Sequence, residues 1–459
     1  MKHVPACSLL ISSLLGAGPA AGAGESWPAP RPLPAAEMGV GIQRTMTLLA
    51  TSTPQRPNTV RILFYGQSIT EQEWWKMVAE DLRRRFPHAR LHIENRAIGG
   101  FAAQRLVLPA EHDLYPFYPD LLIFHVYGDH REYERIIRRV RSRTTAEVLM
   151  QKDHVTKWPA PPFDPAKDKG MWWDDLMNNR FLPEIAARYR CGLVDVRSAW
   201  LDYLRTNRLE PAQLLRDGVH LNAHGNYLLA ELIKQYLVHR PDLPQDSWRD
   251  LVRTYEQGRD FVWREGRMRL EFEGNRVDVE ARLPAGRRVC VLIDGRKPSE
   301  FPGCYAITRP QPGPWSPLAL VRVDHERPLV LEDWSLTITD VSPDGKRWSY
   351  SVRGSITGPD GDGRSDAVFV SASGRVKIDP AAWFANGGPR VGYAIRWKVV
   401  PMFADVLEPA QGADEAGWQW VTVAQGLPNG PHVLELAADE PAGIAVRSIR
   451  ACRPPFREE

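Results

Sequence analysis

Between residues 59 and 240 short apolar runs alternate with segments of helical periodicity, and after Pro241 the alternation stops. No other feature restricts the fold as much. Runs at 61–66, 90–94, 121–127, 147–151 and 192–196 read as strands, while 74–86, 131–143, 171–189 and 198–205 read as helices. The segment 222–236 reads as a closing helix with Asn222 in a capping position. Strands that alternate with helices imply a parallel sheet with helices on both faces.

Beyond Pro241 the β-prone runs are short: 269–272, 276–281, 288–293, 335–339, 348–352 and 433–436, separated by turns rich in Gly, Pro and Asp. That pattern predicts a β-sandwich over residues 266–455, with an insertion. A chain of 459 residues is long enough for two or three domains. The α/β unit is expected over 59–245, and 24–58, rich in Pro, Ala and Thr, reads as a linker or surface arm.

The amino terminus joins Lys2 and His3 to an apolar stretch at 6–15 and to small residues ending in Ala21-Gly22-Ala23. This reads as a signal peptide over residues 1–23, cleaved after Ala23, and implies a secreted or periplasmic protein. The apolar stretch is shorter than the ~20 residues that span a bilayer, and no other segment qualifies, so no membrane span is expected. Past the leader stand Cys191, Cys290, Cys304 and Cys452; in an oxidising compartment Cys290 and Cys304, near in sequence, are the expected pair. None has a cysteine or histidine at ligand spacing, so neither a metal nor another cofactor is implied.

The formal net charge of +3 gives no reason to expect a nucleic-acid partner. The arginines between Arg131 and Arg143 alternate with Glu132, Glu134 and an apolar stripe, the pattern of a solvated helix. Asp360 to Asp366 lacks the ligand spacing of a known Ca²⁺ loop and reads as a turn.

The residues that bring chemistry lie at the ends of expected strands. Gly66-Gln67-Ser68 ends the first and exposes a serine where an open α/β sheet places its site. A serine hydroxyl needs a base, a group that orients the base, and donors for the oxyanion. Asp217-Gly218-Val219-His220 offers a carboxylate and an imidazole on one turn of loop, and Asn95-Arg96-Ala97-Ile98-Gly99-Gly100 offers glycine N–H groups that can approach a ligand closely. Tyr127-Gly128-Asp129-His130 follows the third strand. The long connection at 153–175 carries Trp158, Trp172 and Trp173, either a sugar-stacking wall or aromatics packing the loop onto its own domain.

In these blocks and their order the chain resembles the SGNH, or GDSL, hydrolase superfamily over residues 59–240. Gln67 stands where that family usually has aspartate, and Asp129 where it has an asparagine that donates to the oxyanion hole. The resemblance implies a flavodoxin-like sheet, Ser68 as nucleophile, His220 as base, Asp217 as its orienter, and an oxyanion hole from Ser68, Gly100 and the Asp129 position. With the leader, the tryptophan-rich loop and the appended β-sandwich, it looks like some carbohydrate esterases of the superfamily. The expected substrate is then an acylated poly- or oligosaccharide, bound by Trp158, Trp172 and Trp173. Two alternatives stay open: a glycoside hydrolase using Asp129, with Asp217 as second carboxylate, and a non-catalytic carbohydrate-binding protein.

Overall fold

The apolar run after Asn58 forms a strand, β1 (Thr59–Gly66), buried on both faces: Ile62 and Phe64 enter one apolar cluster, Leu63 and Tyr65 the other. A continuous apolar run, in place of strict alternation, marks a strand of a parallel sheet covered on both sides. The sheet is completed by β2 (Arg90–Asn95), β3 (Leu121–His125), β4 (Glu147–Gln151) and β5 (Gly192–Val194), in the order β2-β1-β3-β4-β5 with every pair parallel.

The helices are α1 (Gln43–Ala50), α2 (Ser68–Glu71), α3 (Trp74–Arg85), α4 (Ala103–Leu106) and α5 (Ala110–Asp113). They continue as α6 (His130–Arg143), α7 (Lys169–Leu176), α8 (Leu182–Tyr189), α9 (Val196–Asn207) and α10 (Ala223–Tyr236), with a π-helical turn joining α7 to α8. This computed structural model describes residues 27–243, 250–313, 317–409 and 417–457; the leader read at 1–23 lies outside them. No helix among the described residues is long and apolar enough to cross a membrane.

The expectation of a linker or surface arm before β1 is corrected by α1, whose Ile42, Met46 and Leu49 are buried in the core. Ile42 gives α1 no side-chain cap. Instead the buried Glu147 carboxylate, at the start of β4, accepts the Arg44 and Thr45 N–H groups at 2.8 and 2.7 Å. Orphan donors of a first helical turn need a partner, and here it comes from about a hundred residues away, where local reading does not reach.

The strand order reverses between β1 and β3, and such a switch point opens a crevice at the carboxyl ends of the strands. Gly66 ends β1 beside His125 of β3. A Cβ at Gly66 would stand 2.0 Å from the His125 carbonyl oxygen and 2.4 Å from Thr70 Oγ1. The obstacle at His125 is backbone, so Gly66→Ala must push β1 and β3 apart at the centre of the sheet. It is expected to lower stability by about 3 kcal/mol, the upper range of overpacking costs, read as a fall in the urea midpoint. A wild-type midpoint would contradict the packing argument.

The C-terminal region holds β6 (Val252–Glu256), β7 (Arg267–Arg282), β8 (Val289–Ile293), β9 (Tyr305–Ile307), β10 (Leu318–Leu320), β11 (Asp333–Val341), β12 (Trp348–Gly354) and β13 (Gly358–Arg364). After them come β14 (Phe369–Val370), β15 (Lys377–Ile378), β16 (Trp383–Ala385), β17 (Ala394–Pro401), β18 (Val406–Leu407), β19 (Trp418–Ala437) and β20 (Ala445–Cys452). One antiparallel sheet runs β18-β8-β19-β7-β20-β6. Its two long strands are interrupted at Gly274, whose φ is +155°, and at the bulge between Gln425 and Gly430, so the halves of the sheet enclose one cluster that includes Leu270, Val279, Val291 and Ile449. The runs 269–272 and 276–281, read as two strands, are thus one strand that turns at a glycine.

Between β8 and β18 the chain inserts a second antiparallel sheet, β13-β12-β11-β17-β9, over its own cluster around Trp334, Tyr350 and Trp397. This insertion also enters the α/β core, where Ala319, Val321 and Phe384 join the cluster containing Leu63 and Tyr65. The expected Cys290–Cys304 pair is not formed: all four described cysteines are free, and Cys290 faces outward from β8 while Cys304 is buried. The stretch read as an acidic turn at Asp360 lies mostly in strand β13, with the Asp360 carboxylate buried and bonded to the Ser373 N–H and hydroxyl at 2.8 and 2.7 Å.

Candidate active site

Ser68 opens α2 immediately beyond the end of β1 and is half-buried. Its Oγ lies 3.0 Å from His220 Nε2, and His220 Nδ1 lies 2.9 Å from Asp217 Oδ2. With the Nδ1 proton given to Asp217, Nε2 is left as the acceptor for the serine proton, the polarity a base needs.

The loop that carries the pair is tightly turned. The Arg216 N–H donates to the His220 carbonyl at 2.7 Å, and Asp217 Oδ1 accepts the Val219 and His220 N–H groups, both at 2.8 Å. The His220 and Val219 backbone donors, and then the His220 ring, hold the Asp217 carboxyl well below the usual carboxylate range. Asp217 therefore faces the His220 ring as a carboxylate.

After β2, residues 95–100 curl under Ser68. Asn95 Nδ2 donates to the Thr70 carbonyl at 2.6 Å and the Gly99 N–H to Glu71 Oε1 at 2.8 Å. Gly100 follows with a φ of +75°, exposed, and its N–H has no hydrogen-bond partner among the described residues. A serine after the first strand, a glycine loop after the second and an Asp-x-x-His turn before the last helix now stand around one crevice of a 2-1-3-4-5 sheet. This is the fold of the SGNH hydrolases.

Solved structures similar to the chain include a two-domain esterase active on acetylated mannans, co-crystallised with mannopentaose: 16% identity, 92% of this chain, 98% of that chain, TM-score 0.36. An acetylxylan esterase from Geobacillus stearothermophilus is 19% identical over 39% of this chain and 95% of its own, TM-score 0.34. An alpha/beta hydrolase from the metagenome of Lake Arreo, Spain, is 19% identical over 40% of this chain and 98% of its own, TM-score 0.34. No protein-family model and no curated protein matches the sequence.

Within the SGNH frame, Asp129 occupies the N-cap of α6: its Oδ1 accepts the Glu132 N–H at 3.1 Å, and its own N–H donates to Gln104 Oε1 at 3.2 Å. A carboxylate there suits the positive end of the helix dipole. Through Oδ1 its side chain is the acceptor that caps the helix.

The three tryptophans are divided by the structure. Trp173 packs edge-on against Tyr127, 6.2 Å between centroids, and tilted against His130, 5.5 Å, at the carboxyl end of β3. Trp158 and Trp172 are 38% and 37% exposed, and Trp158 Nε1 donates to Glu210 at 2.6 Å. Packing and exposure thus both occur in one connection.

Three supporting side chains went unread in the sequence. Glu71 holds Gly99, as above. Gln72 donates to the Leu221 carbonyl at 3.0 Å and accepts the Leu221 N–H at 3.1 Å, next to His220. Buried His154 gives its Nε2–H to the Val219 carbonyl at 2.8 Å, and burial pushes its imidazole down to about 4. Glu71 and Gln72 lie within one helical turn of Ser68, a spacing that flags them; His154 leaves no local signal. Beside it, Asp153 bonds His125 at 2.6 Å and Asn178 at 3.2 Å. Burial works to raise the Asp153 pKa, yet those bonds outweigh it and hold the carboxyl below its ordinary value.

Proposed function

We propose that the protein is a secreted serine esterase that removes acyl groups, acetyl foremost, from poly- or oligosaccharides. The observation that supports it is the chain of contacts from Ser68 through His220 to Asp217. Ser68 Oγ attacks the acyl carbonyl carbon while its proton passes to His220 Nε2, and Asp217 stabilises the imidazolium. The oxyanion forms against the Ser68 and Gly100 N–H groups. His220 then returns the proton to the departing sugar hydroxyl, and water repeats the sequence on the acyl-enzyme. The carbohydrate assignment draws on the signal-like leader and on exposed Trp158 and Trp172, whose faces suit sugar rings.

Glycoside cleavage fits these side chains less well. It requires two carboxyl groups that flank the scissile bond, and here Asp217 is turned to the Val219 and His220 N–H groups and the His220 ring, while Asp129 caps α6 through the Glu132 N–H. The direct test is incubation with acetylated and unmodified polysaccharides, scoring released acetate against released sugar. Acetate alone is expected; reducing sugar without acetate would overturn the reading.

Asp129 supplies a second test. Asn caps a helix about as well as Asp, so Asp129→Asn should keep the melting temperature within about a degree while adding an N–H donor to a site that develops negative charge. Acetate release is expected to stay level or rise severalfold. Loss of activity in a folded Asp129→Asn protein would show instead that the carboxylate itself participates.

A further inference from the structure

The loop that presents Gly100 is held from two sides. On the α/β side, the Arg96 and Ile98 N–H groups donate to the Phe64 and Gly66 carbonyls at 3.0 and 2.9 Å, and Glu71 and Thr70 take the Gly99 and Asn95 donors. On the other side both contacts come from the insertion between β8 and β18. Arg309, just past β9, donates from Nη2 to the Arg96 carbonyl at 3.1 Å, while its Nε sits 2.9 and 2.8 Å from the two oxygens of buried Asp113. Phe384 of β16 lies 5.0 Å, centroid to centroid, from Phe101, the buried residue that directly follows Gly100. The Arg105 guanidinium covers Phe384 at 5.2 Å.

We propose that the insertion belongs to the catalytic machinery: Arg309 and Phe384 are positioning residues that fix the Gly100 N–H where the oxyanion develops. The inference rests on the reading of Ser68 as nucleophile and Gly100 as oxyanion donor. Its physical basis is the conformation of Gly100. Gly100, at a φ of +75°, is the third residue of a turn closed by the Phe101 N–H on the Ile98 carbonyl at 3.2 Å, and its own N–H has no partner among the described residues; the turn sets the direction of that N–H, and what grips the residues before and after the turn sets where it stands. Arg309 fixes the carbonyl of Arg96 before it, and Phe384 fixes the ring of Phe101 after it. A donor displaced by about an ångström costs up to about a hundredfold in rate, and loss of one oxyanion donor costs about a hundred- to a thousandfold. A module that only held glycan would leave hydrolysis of a small soluble ester untouched.

The experiment uses the full chain and 4-nitrophenyl acetate, a substrate too small to reach the insertion as a glycan would. Phe384→Ala and Arg309→Gln are expected to lower kcat about ten- to a hundredfold with KM within about twofold. They should weaken an arylboronic acid, which mimics the tetrahedral oxyanion, by the same factor as kcat/KM, and Phe384→Tyr should restore both. If Phe384→Ala melts early, Phe384→Leu allows the same comparison. Wild-type kcat in the folded variants, or a loss confined to polymeric substrate, overturns the proposal. Ser68→Ala in the same assay keeps the two failures apart: an active Ser68→Ala protein sinks the esterase reading and the proposal with it, whereas an inactive one beside fully active Arg309 and Phe384 variants sinks only the proposal.

Discussion

Replacing Ser68 by alanine is expected to lower kcat for acetate release by about 10⁴-fold or more, because removal of a triad nucleophile leaves only the background supplied by binding and the oxyanion donors. The fold should be untouched. Ser68 is half-buried, and among the described residues its side chain makes one hydrogen bond, to His220, so the variant should melt within about a degree of wild type. That separation matters, since a variant of a strand-end residue can lose activity through local unfolding. A fluorophosphonate probe gives an independent reading: it should label the wild-type protein at Ser68 and leave Ser68→Ala unlabelled. Retention of more than about a tenth of wild-type activity by a folded Ser68→Ala protein would remove the serine from the mechanism and return attention to Asp129.

What could be read in the sequence was what is local. Gly66 and Ser68 stand close together at the end of an apolar run, Asp217 and His220 lie on one turn, and Asn222 caps α10 by accepting the Gly225 N–H at 3.0 Å. Each is visible in a window of a few residues, which is why the sheet, the closing helix and the neighbourhood of Ser68 could be anticipated. What escaped was held together at a distance. Helix α1 is capped by Glu147, the turn of Asp217 and His220 hangs from His154, and the Gly100 loop is gripped by Arg309 and Phe384. Nothing in the periodicity of either partner announces such contacts. The cysteines failed for a related reason: proximity in sequence says nothing of which way a side chain points, and Cys290 is exposed where Cys304 is buried.

Two contacts between residues far apart in sequence make stability depend on pH. His112, in α5, accepts the Val323 N–H on Nε2 at 3.1 Å and gives its Nδ1 proton to the Ile307 carbonyl at 3.0 Å, which pins the α/β unit to the insertion; His154 pins the Asp217–His220 turn. Burial is the largest influence on both rings and pushes each from 6.5 to about 4, despite nearby Glu111 and Asp324 for His112 and Asp153 for His154. Between those values the unfolded chain takes up protons that the folded chain refuses, so the stability these histidines contribute is complete above about pH 6.5 and is lost as pH falls toward 4. Each contributes about 3 kcal/mol over that interval. Buried Glu147, Asp113 and Asp174 work the other way, because burial raises their carboxyl pKa and the folded chain binds their protons first. The histidine contribution is therefore isolated by difference. His112→Gln with His154→Gln keeps neutral amides in both places, and its unfolding free energy should fall less than that of wild type between pH 6.5 and 4, by about 6 kcal/mol in all. Urea titrations at three pH values measure it. Parallel pH profiles for the two proteins would show that these rings titrate as freely in the fold as outside it, and that neither contact depends on a neutral imidazole.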